Sequence, residues 1–449
     1  MSSAQAAERR ASHRRVFTNA ALVGVLAAAA KLAGAAKVLV TARYFGAGDQ
    51  MDAFVIAFLL PAFFTDIVAG SFSASFVPAF IRVRSDQGEA AARMFARTGL
   101  ALVLGAMLAV SVLLAAGGPW VLPLLGSSFS PEKLRITTGL FLALILWLPM
   151  SAGIAVWRAV LNAHNAFALA AAAPLTTPLA AIVFLYAGAA RWSIYTLCWG
   201  TLAGVTAETM LLGWGVRRLG IPILPAWRGW TPEMSAIRGQ YVPLLAGSML
   251  AALCPLIDQA VAGSLGSGSV SALAYGTKLA TVLAAISATA IATAVLPEFS
   301  RLAALHDWSH LRHTVRVHSA VIALLALPGT AAIIWFSAPI VRTFFEGGAF
   351  DSSATRVVTG VQQFALLQVP FAILFVVVGR LAVAVSATAV MIRASLITLV
   401  ATAVGDLVLA RTMGIAGIPL AGALAHTIAL ASLVYLLYLR EPRLFRSTH

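Results

Sequence analysis

Residues 20–45 read AALVGVLAAAAKLAGAAKVLVTARYF, an apolar stretch that is long enough to cross a bilayer and yet carries two cations near its middle. Lys31 and Lys37 lie on either side of Gly34, and they are two of only four lysines in the chain. A cation at the centre of a membrane helix costs about 2.5–3.5 kcal/mol, so such residues usually face a cavity or a partner. The stretch therefore predicts a membrane helix that presents positive charge to something other than lipid.

The composition indicates the same class of protein for the whole chain. Of the 449 residues, 60% are hydrophobic and only 10% are charged, and the mean hydropathy is +0.91. Both cysteines, Cys198 and Cys254, lie within apolar runs, which disfavours a disulfide framework or a cysteine metal site. We predict an all-α polytopic membrane protein with about 12 transmembrane helices.

Apolar runs and a long loop divide the sequence into two sets of six spans. The predicted domains are a basic tail (1–17), an N-lobe (18–216), an interlobe linker (217–240), a C-lobe (241–440) and a second tail (441–449). The predicted spans are 18–44, 52–80, 98–117, 136–157, 166–188, 193–214, 241–264, 270–299, 317–337, 357–378, 384–410 and 417–438.

The positive charges predict the orientation. The net charge of +15 is carried mostly by short loops between the spans, which disfavours a nucleic-acid surface. With the N-terminus inside, about three times as many Lys and Arg residues fall on the cytoplasmic side as outside. We therefore predict a multi-pass protein of the bacterial inner membrane with both termini cytoplasmic.

An internal repeat relates the two halves. Four identities recur at an offset of about 219 residues, pairing Ala53, Pro78, Phe80 and Arg82 with Ala272, Pro297, Phe299 and Arg301. Since each half has an even number of spans, the halves enter the membrane in the same direction, as in transporters with parallel repeats. This pattern predicts two six-helix lobes around a central cavity.

The span cations suit an anionic ligand in that cavity. Lys31 and Lys37 differ by about 120° around a helix and by about 9 Å along it. Lys278, in the eighth span, adds a third cation. Together they predict a phosphate or pyrophosphate site. Snorkelling of the lysines to the interface, or ion pairing with Asp52, Asp66 or Asp258, is the alternative.

Other titratable residues are possible sites of gating, coupling, metal binding or catalysis. Asp52, Asp66 and Asp258 are candidates for gating or coupling, with structural ion pairing equally open, whereas Glu208 and Asp406 receive no role. The three histidines at 306, 310 and 313 share a helical face but are interpreted as solvated surface, so no metal site is predicted. No nucleophile elbow or phosphate loop occurs, and the sequence predicts a transporter and not an enzyme.

Several motifs resemble those of the MviN/MurJ family of lipid II flippases, within the multidrug/oligosaccharidyl-lipid/polysaccharide transporter superfamily. They cover nearly the whole chain. They are ARYFGAGDQMDAFVIAFLLP (42–61), FSASFVPAF (72–80), RAVLNAHNAFALAAAAPL (158–175), GSGSVSALAYGTKLA (266–280), LPEFSR (296–301) and FFEGGAFD (344–351).

The resemblance implies export of an undecaprenyl-pyrophosphate-linked saccharide by alternating access, without a cofactor and with coupling to the membrane potential or a cation left open. The family's paired arginines and intervening glycine fall on Lys31, Gly34 and Lys37, and its basic residue in the eighth span falls on Lys278. Its acid before the second span falls on Asp52. We add Arg43, at the end of the first span, to the gating candidates. A monomer is expected, with envelope-biosynthesis proteins as possible partners.

Departures from the family pattern leave the identity of the transported saccharide open. Every one of those arginines is a lysine here, which retains charge but loses bidentate phosphate geometry. Thr65 and Asp66 stand where the family has a basic residue. An exopolysaccharide or O-antigen precursor is the main alternative to lipid II. A cation-coupled drug antiporter would need an acidic cavity, and a non-transporting envelope scaffold is a third hypothesis.

Overall fold

The structure, a computed structural model, describes residues 3–227, 229–230 and 232–445. Residues Arg228 and Thr231 of the predicted linker and residues 446–449 of the predicted C-terminal tail lie outside the described residues. Side chains are described except at 3–21, 69–71, 73–74, 232–233, 236–240, 242–244, 246 and 292–293.

The described residues form helices and no β-strand. The helices are α1 (Ser3–Phe45), α2 (Asp49–Phe64), α3 (Ser71–Leu125), α4 (Pro131–Leu144), α5 (Trp147–Ala163), α6 (Phe167–Ala172), α7 (Thr176–Trp192), α8 (Tyr195–Arg218), α9 (Pro232–Ala262), α10 (Ser269–Gly276), α11 (Lys278–Ala304), α12 (Trp308–Trp335), α13 (Ser337–Phe345), α14 (Ser352–Ala384), α15 (Thr388–Met413) and α16 (Gly417–Arg440).

Nine helical segments of the described chain are long and apolar enough to cross a membrane. One of them, Thr388–Arg440, contains two helices, α15 and α16, which pack side by side. Helix α8 and the apolar part Gly247–Ala262 of α9 occupy the two remaining positions at which the sequence predicted a span. The predicted all-α membrane architecture is confirmed.

Two interruptions shape the second and third spans. Pro61 lies inside α2, and a π-helical turn follows at Thr65–Gly70. Proline removes one helical hydrogen bond, and single π turns are frequent at functional sites. Further on, Gly88 breaks α3 with a φ of 85°, a left-handed conformation that favours glycine. This break falls between the second and third predicted spans.

The chain forms two compact units. The first comprises Met1–Tyr44, Ala57–Leu122 and Arg135–Ser248, and the second comprises Phe45–Ile56, Pro123–Leu134 and Met249–His449. Two short segments from the first half of the sequence thus belong to the second unit. The lobe boundaries derived from sequence stay a prediction.

Small residues let α7 and α8 approach closely in the first unit. Gly200 and Gly204 are four residues apart on α8, the spacing typical of tightly packed membrane helices. A Cβ on Gly204 would lie 2.4 Å from the Cα of Thr177 on α7. This close packing places Thr177 beside Glu208, one turn further along α8.

In the second unit, α14 is the central helix and packs against α11, α12 and α16. Buried apolar side chains of α11 and α14, including Phe299, Leu366 and Val369, form its core. Gly276, at the end of α10, lies against α14, because a Cβ there would be 2.4 Å from Val361. The packing of α10 against α14 thus fixes the position of α10, whose first residues form part of the polar cluster around Asp52 described below.

Candidate functional site

The structure places Lys31, Gly34 and Lys37 on α1 in the first unit. Lys31 is exposed and Lys37 is half-buried. Apart from the backbone of its own helix and its chain neighbours, no atom of the described residues lies within 4 Å of the position that a Cβ on Gly34 would occupy. Lys31 forms no ion pair among the described residues, so its charge is open to a ligand. Arg43, two turns beyond Lys37 on the same helix, is exposed as well.

Lys278 is the first residue of α11 in the second unit, and its side chain is exposed. It has no ion-pair partner in the described part of the chain. Ion pairing with acids, the alternative interpretation of the span cations, is therefore not observed for Lys31 or Lys278.

Asp52 is the centre of a buried polar cluster in the second unit, and its side chain is 0% exposed. Its Oδ2 accepts hydrogen bonds from Lys133 Nζ at 2.8 Å and from the Gly268 amide at 2.7 Å. Its Oδ1 accepts from the amide and the hydroxyl of Ser271, at 2.8 and 2.7 Å. Both amides belong to the start of α10, where unpaired N–H groups and the helix dipole favour a carboxylate.

Lys133 completes this cluster, and the sequence did not indicate it. Its side chain is 6% exposed and also binds Asp49 Oδ1 at 2.7 Å. The ammonium group lies 3.9 Å from the ring centroid of Phe129, a cation–π contact. One signal in the sequence could have identified it. A buried Asp52 requires a cation as its partner, and Lys133 is the one lysine that lies outside the predicted membrane spans.

Glycine makes this cluster possible. Gly268 has a φ of 81°, and a Cβ there would lie 2.7 Å from the Ala47 carbonyl oxygen. The segment before α2 can therefore reach the start of α10 only if residue 268 has no side chain. Asp52 joins three segments of the second unit. The gating role that the sequence suggested for Asp52 stays a prediction.

Asp258 on α9 and Asp406 on α15 form a second cluster in the second unit. The two carboxylates lie close enough to influence each other electrostatically, and Asp406 is 0% exposed. Both carboxylate oxygens of Asp406, and Oδ1 of Asp258, are buried with no hydrogen-bond partner among the described residues. Two negative charges this close in a low-dielectric interior are unfavourable unless a proton or a cation lies between them.

A cavity of about 370 Å³ opens beside Asp258. Polar side chains around it include Gln259, Thr277, Gln368, Thr402 and His426. Hydroxyl and amide oxygens of this kind are suitable ligands for a hard monovalent cation. The sequence indicated Asp258 as a candidate but gave no role to Asp406, because the two acids are far apart in sequence and only the fold brings them together.

The remaining predicted acid, Asp66, lies in the π turn of the first unit and is exposed. It borders a cavity of about 350 Å³ that also contains Arg158 and Glu208. Arg158 donates a hydrogen bond from Nη2 to Glu208 Oε1, so this arginine forms an ion pair between α5 and α8. The predicted fourth span ends at residue 157, so the sequence placed Arg158 just outside that span.

Comparison with known proteins identifies the family. The family model described as "Lipid II flippase MurJ" matches residues 41–447. The chain belongs to the MurJ family. The match begins after Lys31, Gly34 and Lys37, so these three residues lie before the matched region.

Relatives and solved structures agree with this membership in the MurJ family. The lipid II flippase MurJ of Burkholderia cenocepacia is 28% identical over 352 residues, which are 73% of this chain and 65% of that relative. The probable lipid II flippase MurJ of Helicobacter pylori is 27% identical over 411 residues, or 86% of this chain and 87% of the relative. The chain thus spans just under two thirds of the Burkholderia protein.

Two solved structures show the shared fold. One, a lipid II flippase MurJ in an inward closed conformation, has a TM-score of 0.78 at 20% identity, covering 94% of this chain and 87% of that one. The other, an inward-facing multidrug resistance MATE family transporter, has a TM-score of 0.77 at 11% identity, covering 93% and 96%. The fold is therefore that of MurJ and MATE transporters.

The Asp52 cluster yields a stability prediction. Lys133→Met leaves the buried Asp52 carboxylate without its cation, and we expect a loss of about 3–5 kcal/mol in the free energy of unfolding. Adding Asp52→Asn to Lys133→Met should recover part of the loss, because the unpaired charge is then gone. Thermal unfolding of the purified protein in detergent measures both variants.

Glu298→Gln is the matched control, since it breaks the exposed Glu298–Arg301 pair and should change stability little. A shift for Lys133→Met no larger than that of the control would contradict the role given to the cluster.

Proposed function

We propose that this chain is a flippase that moves a polyprenyl-pyrophosphate-linked saccharide of the lipid II type from the inner to the outer leaflet of the bacterial inner membrane. Membership of the MurJ family over residues 41–447 is the observation that carries the proposal. The two relatives described above are named lipid II flippases. No covalent bond changes in this reaction, so the proposed protein is a transporter and not an enzyme.

Lys31 and Lys37 are the proposed pyrophosphate contacts. A pyrophosphate distributes its charge over several oxygens, and a lysine ammonium attracts it as a point charge with three donors. The exposure of Lys31 and the open space beside Gly34 support a ligand at this part of α1. Lys278 is proposed as a further contact, because it is exposed and has no ion-pair partner among the described residues.

The Asp258–Asp406 pair is the proposed coupling site. Its buried carboxylates require a proton or a monovalent cation, and occupancy changes the charge of the interior by one unit. A gradient of that ion across the membrane can therefore bias the equilibrium between conformations, provided that the ion binds one of them more tightly.

The orientation and the assembly belong to the same proposal. The excess of Lys and Arg in alternate loops supports cytoplasmic termini. A monomer is proposed, with cell-envelope biosynthesis proteins as partners of the pathway and no nucleic acid.

The lysine contacts can be tested by complementation. Lys31→Ala and Lys37→Ala together should abolish rescue of a strain depleted of its lipid II flippase, because the anion loses both cations. The paired variants Lys31→Arg and Lys37→Arg retain the charge and should rescue growth. Full rescue by the alanine variant at an equal level in the membrane would contradict the assignment.

Complementation by the wild-type chain also distinguishes the two candidate saccharides. If the chain restores an exopolysaccharide or O-antigen in a strain lacking that flippase, but does not restore peptidoglycan export, the saccharide is the alternative precursor.

The coupling site predicts a change in ion dependence. Asp406→Asn removes one of the two buried negative charges and places an amide donor beside Asp258, so the remaining carboxylate no longer depends on a bound cation. We expect transport by this variant in vesicles to become insensitive to imposed proton and sodium gradients. Asp86→Asn, at an exposed acid of α3, is the control and should respond as the wild type does. If Asp406→Asn responds to the gradients as the wild type does, the Asp258–Asp406 pair is not the coupling site.

A further inference from the structure

A polar cavity of about 350 Å³ lies within the first unit, between the π turn and helices α5, α7 and α8. Its volume is near the lower end of the range for small-ligand sites, about 300–1,000 Å³. Polar side chains and one large aromatic ring share its lining. They are Thr65, Asp66, Trp147, Arg158, Thr177 and Glu208.

The charges in this cavity do not cancel. Glu208 is 6% exposed; it accepts hydrogen bonds from Arg158 Nη2 and, at 3.3 Å, from Thr177 Oγ1. Asp66 has no ion-pair partner among the described residues and is exposed at the cavity wall. An unpaired carboxylate against hydrocarbon is unfavourable, so this side of the cavity faces water or a polar ligand.

Two buried polar atoms of the lining are unsatisfied. Thr65 Oγ1 and Arg158 Nε have no hydrogen-bond partner among the described residues. Since the great majority of buried polar atoms are hydrogen-bonded, such atoms need a water or a ligand. The unsatisfied set thus contains a donor at Arg158, a hydroxyl at Thr65 and an acceptor at Asp66.

Trp147 supplies an apolar surface beside these polar groups. Its ring is half-buried and is held by an edge-to-face contact with Phe58, with ring centroids 5.1 Å apart. The electron-rich face of an indole ring attracts the slightly positive C–H groups of a saturated ring. The cavity therefore combines an aromatic face with donors and an acceptor.

These requirements select one chemical class of ligand. An anion would be repelled by the net negative charge of Asp66, Arg158 and Glu208. A bare cation would leave the Arg158 Nε–H unsatisfied, because a cation cannot accept a hydrogen bond. A hydroxyl both donates and accepts, so a polyhydroxylated ring can donate to Asp66, accept from Arg158 and place its C–H face on Trp147.

We propose that this cavity is a saccharide subsite that binds one sugar ring of the translocated headgroup. The inference rests on the proposed flippase function and adds to it a place where the sugar is recognised separately from the pyrophosphate. The π turn at Thr65–Gly70 brings Thr65 and Asp66 to the cavity, which gives this irregular element a role in specificity.

Binding measurements with two lipids test the subsite. The probes are a polyprenyl pyrophosphate and the same lipid carrying its disaccharide, titrated into the purified full-length chain in lipid nanodiscs. The wild type should bind the disaccharide lipid more tightly. Asp66→Asn should reduce affinity for that lipid about tenfold, the usual order for one hydrogen bond to a charged group, and should leave the bare pyrophosphate lipid unaffected.

Two further variants make the result specific. Thr65→Val removes a hydroxyl that has no partner among the described residues, so it should weaken binding of the disaccharide lipid alone without lowering the thermal stability of the unliganded protein. It gives an independent answer if Asp66→Asn does not fold. Asp86→Asn makes the same chemical change at an exposed site on α3 and should affect neither lipid.

The outcomes separate this inference from the function on which it rests. If the wild type binds both lipids and neither Asp66→Asn nor Thr65→Val changes the preference for the disaccharide, the subsite is wrong and the flippase proposal stands. An equal loss of both lipids in Asp66→Asn would also overturn the subsite. If the wild type binds neither lipid, the proposed function fails and the subsite fails with it.

Discussion

The buried ion pair between Asp52 and Lys133 holds three segments of the second unit together. A carboxylate with no exposure is stable in a membrane protein only when a cation and several donors surround it. Here one lysine, two backbone amides and one hydroxyl supply these groups. The start of α10, the first turn of α2 and the first turn of α4 are therefore fixed relative to one another.

The same electrostatic requirement divides the other charges within the helices into two classes. Glu208 resembles Asp52, because Arg158 and Thr177 satisfy it inside the helix bundle. Lys31, Lys278, Asp66 and the Asp258–Asp406 pair lack a compensating protein group among the described residues. In a low-dielectric surrounding an uncompensated charge persists when a ligand or water offsets it. We therefore assign structural roles to the first class and ligand-binding roles to the second.

The sequence predicted the features that depend on local composition. Hydropathy located the helices, and Lys31, Lys37 and Lys278 were conspicuous because charges are rare in apolar runs. The sequence did not reveal the partner of Asp52, since Lys133 is 81 residues away. It also placed Arg158 just outside the fourth predicted span and assigned no role to Asp406. Each of these depends on which helices pack together, which hydropathy does not encode.

The fold alone does not determine the transported molecule, since MurJ and MATE transporters share it. The signs of the unpaired charges are more informative: cations on α1 and α11 suit an anionic lipid, and an acid in the π turn suits a hydroxylated headgroup. We propose that lysines at these positions attract a pyrophosphate by charge, without the fixed bidentate geometry of arginine.

Translocation in a purified system tests the central claim most directly. The full-length chain would be reconstituted into liposomes that contain a fluorescent lipid-linked disaccharide in both leaflets, and an impermeant reductant would quench the outer label. Our account predicts that the inner label becomes accessible to the reductant faster than in protein-free liposomes. Equal rates in the two preparations, with the protein folded and inserted, would contradict a flippase.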